Sequence, residues 1–197
     1  MNAEAAPRDI ANRRRGARAT LVADGERLDM SEVLERAMSF GHSLLDSGVE
    51  PGDRVALQLP NGLNATLAIL GAGVVGVCTV AVNTRYSEAE AEDLIRRSGA
   101  RRVPPPSATT TAQRDPDNTD LAEAPFVVFT TSGTTSTPKM VLHHQRSIVD
   151  HAHDVVGRFG LTADDVVLVA LPLCGTFGLT SMMGALAADA AVIVEPF

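Results

Sequence analysis

Short apolar runs of strand length alternate with segments of helical periodicity along most of this chain, and that alternation predicts an α/β fold of mostly parallel sheets with flanking helices. Three observations carry the expectation. Apolar runs stand at 54–59, 77–82, 126–129, 166–173 and 190–194. Between them apolar residues recur at three- and four-residue spacing. Glycine, proline and Asn/Asp clusters mark the changes from one pattern to the other. With 197 residues, 45% hydrophobic and 21% charged, the chain is long and apolar enough to bury a full core, so wholesale disorder is excluded.

In chain order, residues 21–28 read as a hairpin turning on Asp24-Gly25. Ser31 is expected to cap a helix whose inner face carries Val33, Leu34, Ala37, Phe40, Leu44 and Leu45, with Gly48 stopping it. Pro51-Gly52-Asp53 turns into a strand at 54–59, and Pro60-Asn61-Gly62 turns into a helix over 64–70 that Gly71, Gly73 and Gly76 should end. Residues 77–82 are strand-like, and Ser87 with Glu90 forms a capping-box pattern before a helix that closes at Gly99. From 101 to 124 three prolines and a Ser/Thr/Ala stretch leave no periodic apolar face, which predicts a linker or shortened loop. The chain thus divides into a first α/β segment at 1–100 and a second at 125–197. The second holds a strand at 126–129, a polar loop at 130–138, a helix through Ile148, His151 and Val155, a strand at 166–173, a helix at 179–186 and a strand at 190–194.

Composition removes several function classes. The net charge is −7, and the only basic cluster, Arg13 to Arg15, is short, so no broad face fits a nucleic-acid backbone. The longest apolar run, 67–82, is 16 residues broken by three glycines, short of the roughly 20 a spanning helix needs. No export signal is legible, and the expected location is cytoplasmic. Cys78 and Cys174 lie in apolar surroundings and read as reduced thiols. The histidines at 143, 144, 151 and 153 crowd one predicted helix without a metal-binding spacing, so no metal site is expected.

The chemistry concentrates in Thr130-Thr131-Ser132-Gly133-Thr134-Thr135-Ser136-Thr137-Pro138-Lys139. Seven of its first eight residues carry hydroxyls, and it follows an apolar strand. Hydroxyl and backbone N–H donors suit phosphate oxygens, Gly133 permits close approach and a lysine adds a point charge. Lys139 is the only lysine beside sixteen arginines. A solvated Ser/Thr linker is the competing reading, and the apolar flanks argue against it. The common P-loop is excluded, since Lys139 lies between Pro138 and Met140. Nucleotide polyphosphate binding is the chemistry implied.

The stretch FTTSGTTSTPKMV resembles the Ser/Thr/Gly-rich signature of the AMP-forming adenylate-forming ligases, which include acyl-CoA synthetases and peptide-synthetase adenylation domains. LVADGERLDMSEVLERAMSFGHSLLDSGVEPGDRVALQLPNG, AILGAGVVGVCTVAVNTRYSEAEAEDLIRRSGA and VVLVALPLCGTFGLTSMMGALAADAAVIV resemble the family's flanking segments in the family's order. The resemblance implies that the loop holds the β- and γ-phosphates of ATP, with Mg²⁺, while a small carboxylic acid attacks the α-phosphorus. In the acyl-CoA synthetase branch coenzyme A then takes the acyl group. Thr131, Ser132, Gly133, Thr134, Thr135 and Lys139 are the matching nucleotide-binding positions, and no catalytic residue is assigned.

The chain departs from the family's pattern at four places. Ser136 and Met140 stand where glycine is usual, Gln145 where histidine is frequent, and Cys174-Gly175 where an aromatic-histidine pair borders the acyl site. The family's later adenine- and ribose-binding segments and its small C-terminal domain have no counterpart here. The expectation is therefore an incomplete N-terminal domain, scarcely active alone, whose sheet stops after the last strand and leaves apolar surface or an unpaired edge for self-association. Adenylation for a carrier protein, or a non-catalytic binding module, are the alternatives.

Overall fold

The computed structural model describes residues 19–106, 121–131 and 138–196. Two twisted sheets form. The first contains β1 (Thr20–Ala23), β2 (Glu26–Asp29), β8 (Val166–Val169) and β9 (Ala191–Val194) in the order β2-β1-β9-β8. The second contains β3 (Arg54–Leu57), β4 (Cys78–Ala81), β5 (Arg101–Arg102), β6 (Pro125–Thr131) and β7 (Lys139–His144) in the order β5-β3-β4-β6-β7. All pairings are parallel except β1 with β2 and β6 with β7. Among the described residues five α-helices accompany them: α1 (Met30–Asp46), α2 (Leu63–Val74), α3 (Glu88–Ser98), α4 (Gln145–Phe159) and α5 (Thr176–Ala187). The expected α/β class with mostly parallel sheets and flanking helices is what forms.

Strand periodicity sorts the second sheet's side chains onto two faces. Val55, Leu57, Ala81, Val127 and Phe129 enter one large core shared with α1, α2, α4, α5 and the first sheet. Ala56, Cys78, Val80 and Val128 face the other way, against Ala91, Leu94 and Ile95 of α3. Burial on both faces is what the continuous apolar runs require.

The first helix begins earlier than Ser31 predicts. Asp29 is the cap: its carboxylate accepts from the Glu32 backbone N–H at 2.9 Å, and the Glu32 carboxylate accepts from the Asp29 N–H at 2.9 Å. This reciprocal pair satisfies two end donors at once, which one serine in the first turn does not. Asp29→Ala is expected to cost about 1 kcal/mol of stability in a denaturant titration, against less than ~0.5 kcal/mol for Ser31→Ala. The predicted Ser87/Glu90 box forms as read, and Gly99 ends α3 in the left-handed conformation at φ 68°.

The glycines of α2 do something other than stop it. Gly71 and Gly73 lie inside the helix, and only Gly76, at φ 74°, belongs to the turn that follows. A Cβ on Gly71 would stand 2.2 Å from the Ala37 carbonyl oxygen of α1, and one on Gly73 would stand 2.4 Å from the Phe126 ring. These residues are absent side chains that let α1 and β6 approach a helix buried all round.

Three further expectations are corrected. The linker's first two residues form β5, where Arg102 pairs with Glu88 and Glu92 of α3 at 2.9 and 2.7 Å; Leu121 is buried at its far end. The last strand has no open edge. Backbone pairing with β1 on one side and β8 on the other places β9 inside the first sheet, and β2 and β8 are the edges. His143 and His144 belong to β7 and not to a helix, because the chain leaving the polar loop returns along β6 before α4 starts.

Asn61 ties the two halves of the chain together. Its amide donates to the Leu171 carbonyl at 2.9 Å and its carbonyl accepts from the Leu173 N–H at 2.8 Å. No helix among the described residues is long and apolar enough to cross a membrane.

Candidate phosphate-binding site

Parallel strands β3, β4 and β6 end on the same side of their sheet, at Leu57, Ala81 and Thr131. In open α/β sheets the carboxyl ends of the strands are where ligands gather, because backbone and loops there are free of the ladder. Strand β6 is rooted by Phe126, Val127, Val128 and Phe129, all buried, and emerges at half-buried Thr130 and exposed Thr131. The apolar-to-hydroxyl change in the sequence is therefore the point where the strand leaves the core.

The chain returns through Pro138 into β7, which is antiparallel to β6. Thr131 is paired with Lys139 and Thr130 with Met140. The ladder thus brings together the two outermost sequence-predicted site residues, a hydroxyl donor and the lone lysine, as direct cross-strand neighbours at the exposed end of the hairpin. Opposed cross-strand residues have Cβ atoms about 4.5–5.5 Å apart, close enough for two side chains to serve one anion. Ser132, Gly133, Thr134 and Thr135, the remaining predicted residues, lie outside the described residues.

Two residues that sequence reasoning passed over hold this end of the hairpin. The Tyr86 hydroxyl is 3.1 Å from the Thr130 hydroxyl, and the Arg97 guanidinium donates to the Pro138 carbonyl at 3.2 Å. Arg97 is itself braced by Asp93, whose carboxylate accepts from its Nε at 2.6 Å. That hydrogen bond, joined by the charges of Arg97 and Arg96, holds the Asp93 carboxyl below its ordinary range. The one available signal was that Tyr86 is the chain's only tyrosine.

The departures noted in the sequence now have places. Gln145 is fully buried and its amide donates to the Gly73 carbonyl at 2.8 Å, anchoring the start of α4 to α2. His143 stacks edge-on against Phe129 with ring centroids 5.6 Å apart, and burial, aided by nearby His151, lowers its pKa. His144 Nδ1 lies 2.7 Å from the Glu123 carbonyl oxygen. Among the described residues no group of three or more His, Cys, Asp or Glu is placed to hold a metal ion.

Met140, where glycine is usual, packs against the Ala56–Val80–Leu94 cluster beneath α3. Half-buried Cys174 lines a small cavity with Leu57, Leu59, Ala65, Ile69 and Ala81, at the carboxyl ends of β3 and β4. Both cysteines are free; burial pushes the Cys78 thiol up to about 11 and raises that of Cys174. These are thiols held protonated by an apolar environment.

The family model for AMP-binding enzymes matches residues 8–117 and 102–197. A Rhodococcus jostii ligase, 3-[(3aS,4S,7aS)-7a-methyl-1,5-dioxo-octahydro-1H-inden-4-yl]propanoyl:CoA ligase, is 39% identical over 80 residues, covering 40% of this chain and 16% of the ligase. A protein of Salinispora arenicola named as a probable non-canonical nonribosomal peptide synthetase is 30% identical over 155 residues, covering 78% of this chain and 2% of that protein. Among solved structures, an artificially fused adenylation–PCP di-domain from Klebsiella oxytoca superposes with a TM-score of 0.83 at 23% identity, over 97% of this chain and 42% of that one. The chain therefore spans well under two thirds of the length of these relatives. Family matches running through both halves of the chain, on a fold shared with adenylation domains, show that it belongs to the AMP-binding enzymes, the adenylate-forming ligases.

Proposed function

We propose that this chain supplies the pyrophosphate side of the ATP site in an AMP-forming carboxylate ligase. The observation that carries the reading is the pairing of Lys139, the only lysine, with Thr131 at the carboxyl end of β6. In the reaction a carboxylate oxygen of a small acid attacks the α-phosphorus of ATP. The bond from that phosphorus to the bridging oxygen breaks, and pyrophosphate leaves with the electron pair. The products of this step are an acyl-adenylate and pyrophosphate. Lys139 would neutralise charge on the leaving group, and Thr131 would donate a hydroxyl hydrogen bond to it. The family resemblance adds Ser132, Gly133, Thr134 and Thr135 as further phosphate contacts. Mg²⁺ would arrive with the nucleotide as its counter-ion.

The second step favoured here is attack of the coenzyme A thiol on the acyl carbonyl, expelling AMP and leaving a thioester. The 39% identity to a CoA ligase over 80 residues supports it. The second reading is transfer to the thiol of a carrier protein, which the longer alignment with a nonribosomal peptide synthetase favours.

Given Mg·ATP and a panel of carboxylic acids, an enzyme that contains this chain is expected to release AMP and pyrophosphate. Release of ADP and orthophosphate overturns the reading. Supplying coenzyme A or a phosphopantetheinylated carrier then separates the two acceptors. The 197-residue chain alone is expected to bind Mg·pyrophosphate yet turn over slowly, since misplacing reactants by about 1 Å costs roughly a hundredfold.

A further inference from the structure

We propose that Tyr86 and Arg97 are positioning residues for phosphate binding, holding Thr131 and Lys139 in one fixed arrangement. This rests on the reading of Lys139 as a phosphate ligand. Among the described residues strand β7 is an edge strand, with no strand paired on its outer side. At the end of a two-stranded hairpin nothing in the ladder prevents fraying. Both strands are nevertheless fastened to one support. Tyr86, immediately before the Ser87 cap of α3, reaches Thr130, the residue before Thr131; Arg97, in the last turn of α3, reaches Pro138, the residue before Lys139. The two bonds are thus made at opposite ends of one helix and on both chains of the hairpin, each one residue from a phosphate donor.

The support is itself rigid. A capping box fixes the start of α3, Asp93 braces Arg97 on the helix, and Arg102 ties Glu88 and Glu92 to β5. Leu94 and Ile95 of α3 share an apolar cluster with Val128 of β6, and Tyr86 and Met140 pack against its edge. The methionine that replaces the usual glycine therefore thickens the same seam. A lysine side chain has four rotatable bonds, so fixing its backbone removes only part of its freedom. That part decides whether its ammonium and the Thr131 hydroxyl reach one phosphate together.

The test is a double-mutant cycle on the 197-residue chain, with Mg·pyrophosphate as the probe in titration calorimetry. Tyr86→Phe removes only a hydroxyl, and Arg97→Ala removes the clasp. Each is expected to weaken binding roughly threefold to tenfold, with an unchanged melting temperature. Arg97→Lys, which keeps a charge and a donor, is expected to recover most of the loss. In a Lys139→Ala background Arg97→Ala should change binding by less than about twofold, because Arg97 fastens Pro138, the residue before Lys139. Additive losses in that background, or full-strength binding in both single variants, overturn the positioning role while leaving Lys139 as a phosphate ligand. Absence of pyrophosphate binding by the unaltered chain, or binding untouched by Lys139→Ala, overturns the underlying reading and this proposal with it.

Discussion

Lys139→Ala is expected to weaken Mg·pyrophosphate binding on the order of 10- to 100-fold, with stability changed by less than about 0.5 kcal/mol. The affinity figure follows from losing a charge-assisted contact to phosphate, which contributes roughly 1.5–3 kcal/mol. The stability figure follows from the lysine's place: it is exposed at the first position of an edge strand, and with the described residues its ammonium makes no ion pair. Among the described residues its removal leaves no buried partner unsatisfied. A binding assay over a salt series provides an internal check, because the difference between the variants should shrink as screening increases. Equal affinities for the two proteins at low salt would remove Lys139 from the phosphate site.

Gly71→Ala carries the largest expected effect on folding, and its sign separates two arguments. In an isolated helix, replacing glycine by alanine stabilises by about 1 kcal/mol. Here the new Cβ would stand 2.2 Å from the Ala37 carbonyl oxygen and 3.2 Å from the Gly41 nitrogen, both backbone atoms. Backbone cannot rotate away as a side chain does, so α1 and α2 must separate. Overpacking of this kind costs about 1–3 kcal/mol or more, and for a chain of this size each kcal/mol lowers the melting temperature by roughly 2–4 °C. A fall of several degrees is the expected result in a thermal melt. A rise would show that α1 and α2 do not pack at this distance. Gly157→Ala is the matched control, since open space surrounds its would-be Cβ.

The residues that sequence reasoning located and those it missed differ in the range of the interactions that place them. The α/β class, the Ser87/Glu90 box, the Gly99 stop and the strand leading into the hydroxyl-rich loop depend on neighbours a few positions apart, so their pattern is present in the linear chain. Lys139 stood out for the same reason: one lysine among sixteen arginines is visible without coordinates. Where a local rule admitted two outcomes, sequence reasoning erred. Ser31 is a good cap in isolation, yet Asp29 with Glu32 satisfies two donors. Gly71 and Gly73 are helix breakers in isolation, yet α1 and Phe126 leave no room for any other residue.

What the sequence by itself determined is the family, the fold class and which residues are candidates for phosphate binding. The tertiary structure alone decided that Thr131 faces Lys139 across a hairpin, that β9 is an inner strand, and that Tyr86 and Arg97 clasp the two sides of the hairpin from positions 44 and 41 residues away. The physical reason is that hydrogen bonds of this kind join groups with no local signature. A tyrosine before a helix cap and an arginine in a last turn look like ordinary solvent-facing residues until the parallel crossovers bring α3 beside β6 and β7. Periodicity reports which face of an element is apolar, whereas only the packing of that face against a particular neighbour decides which polar atoms along its border come within 3 Å or so of one another.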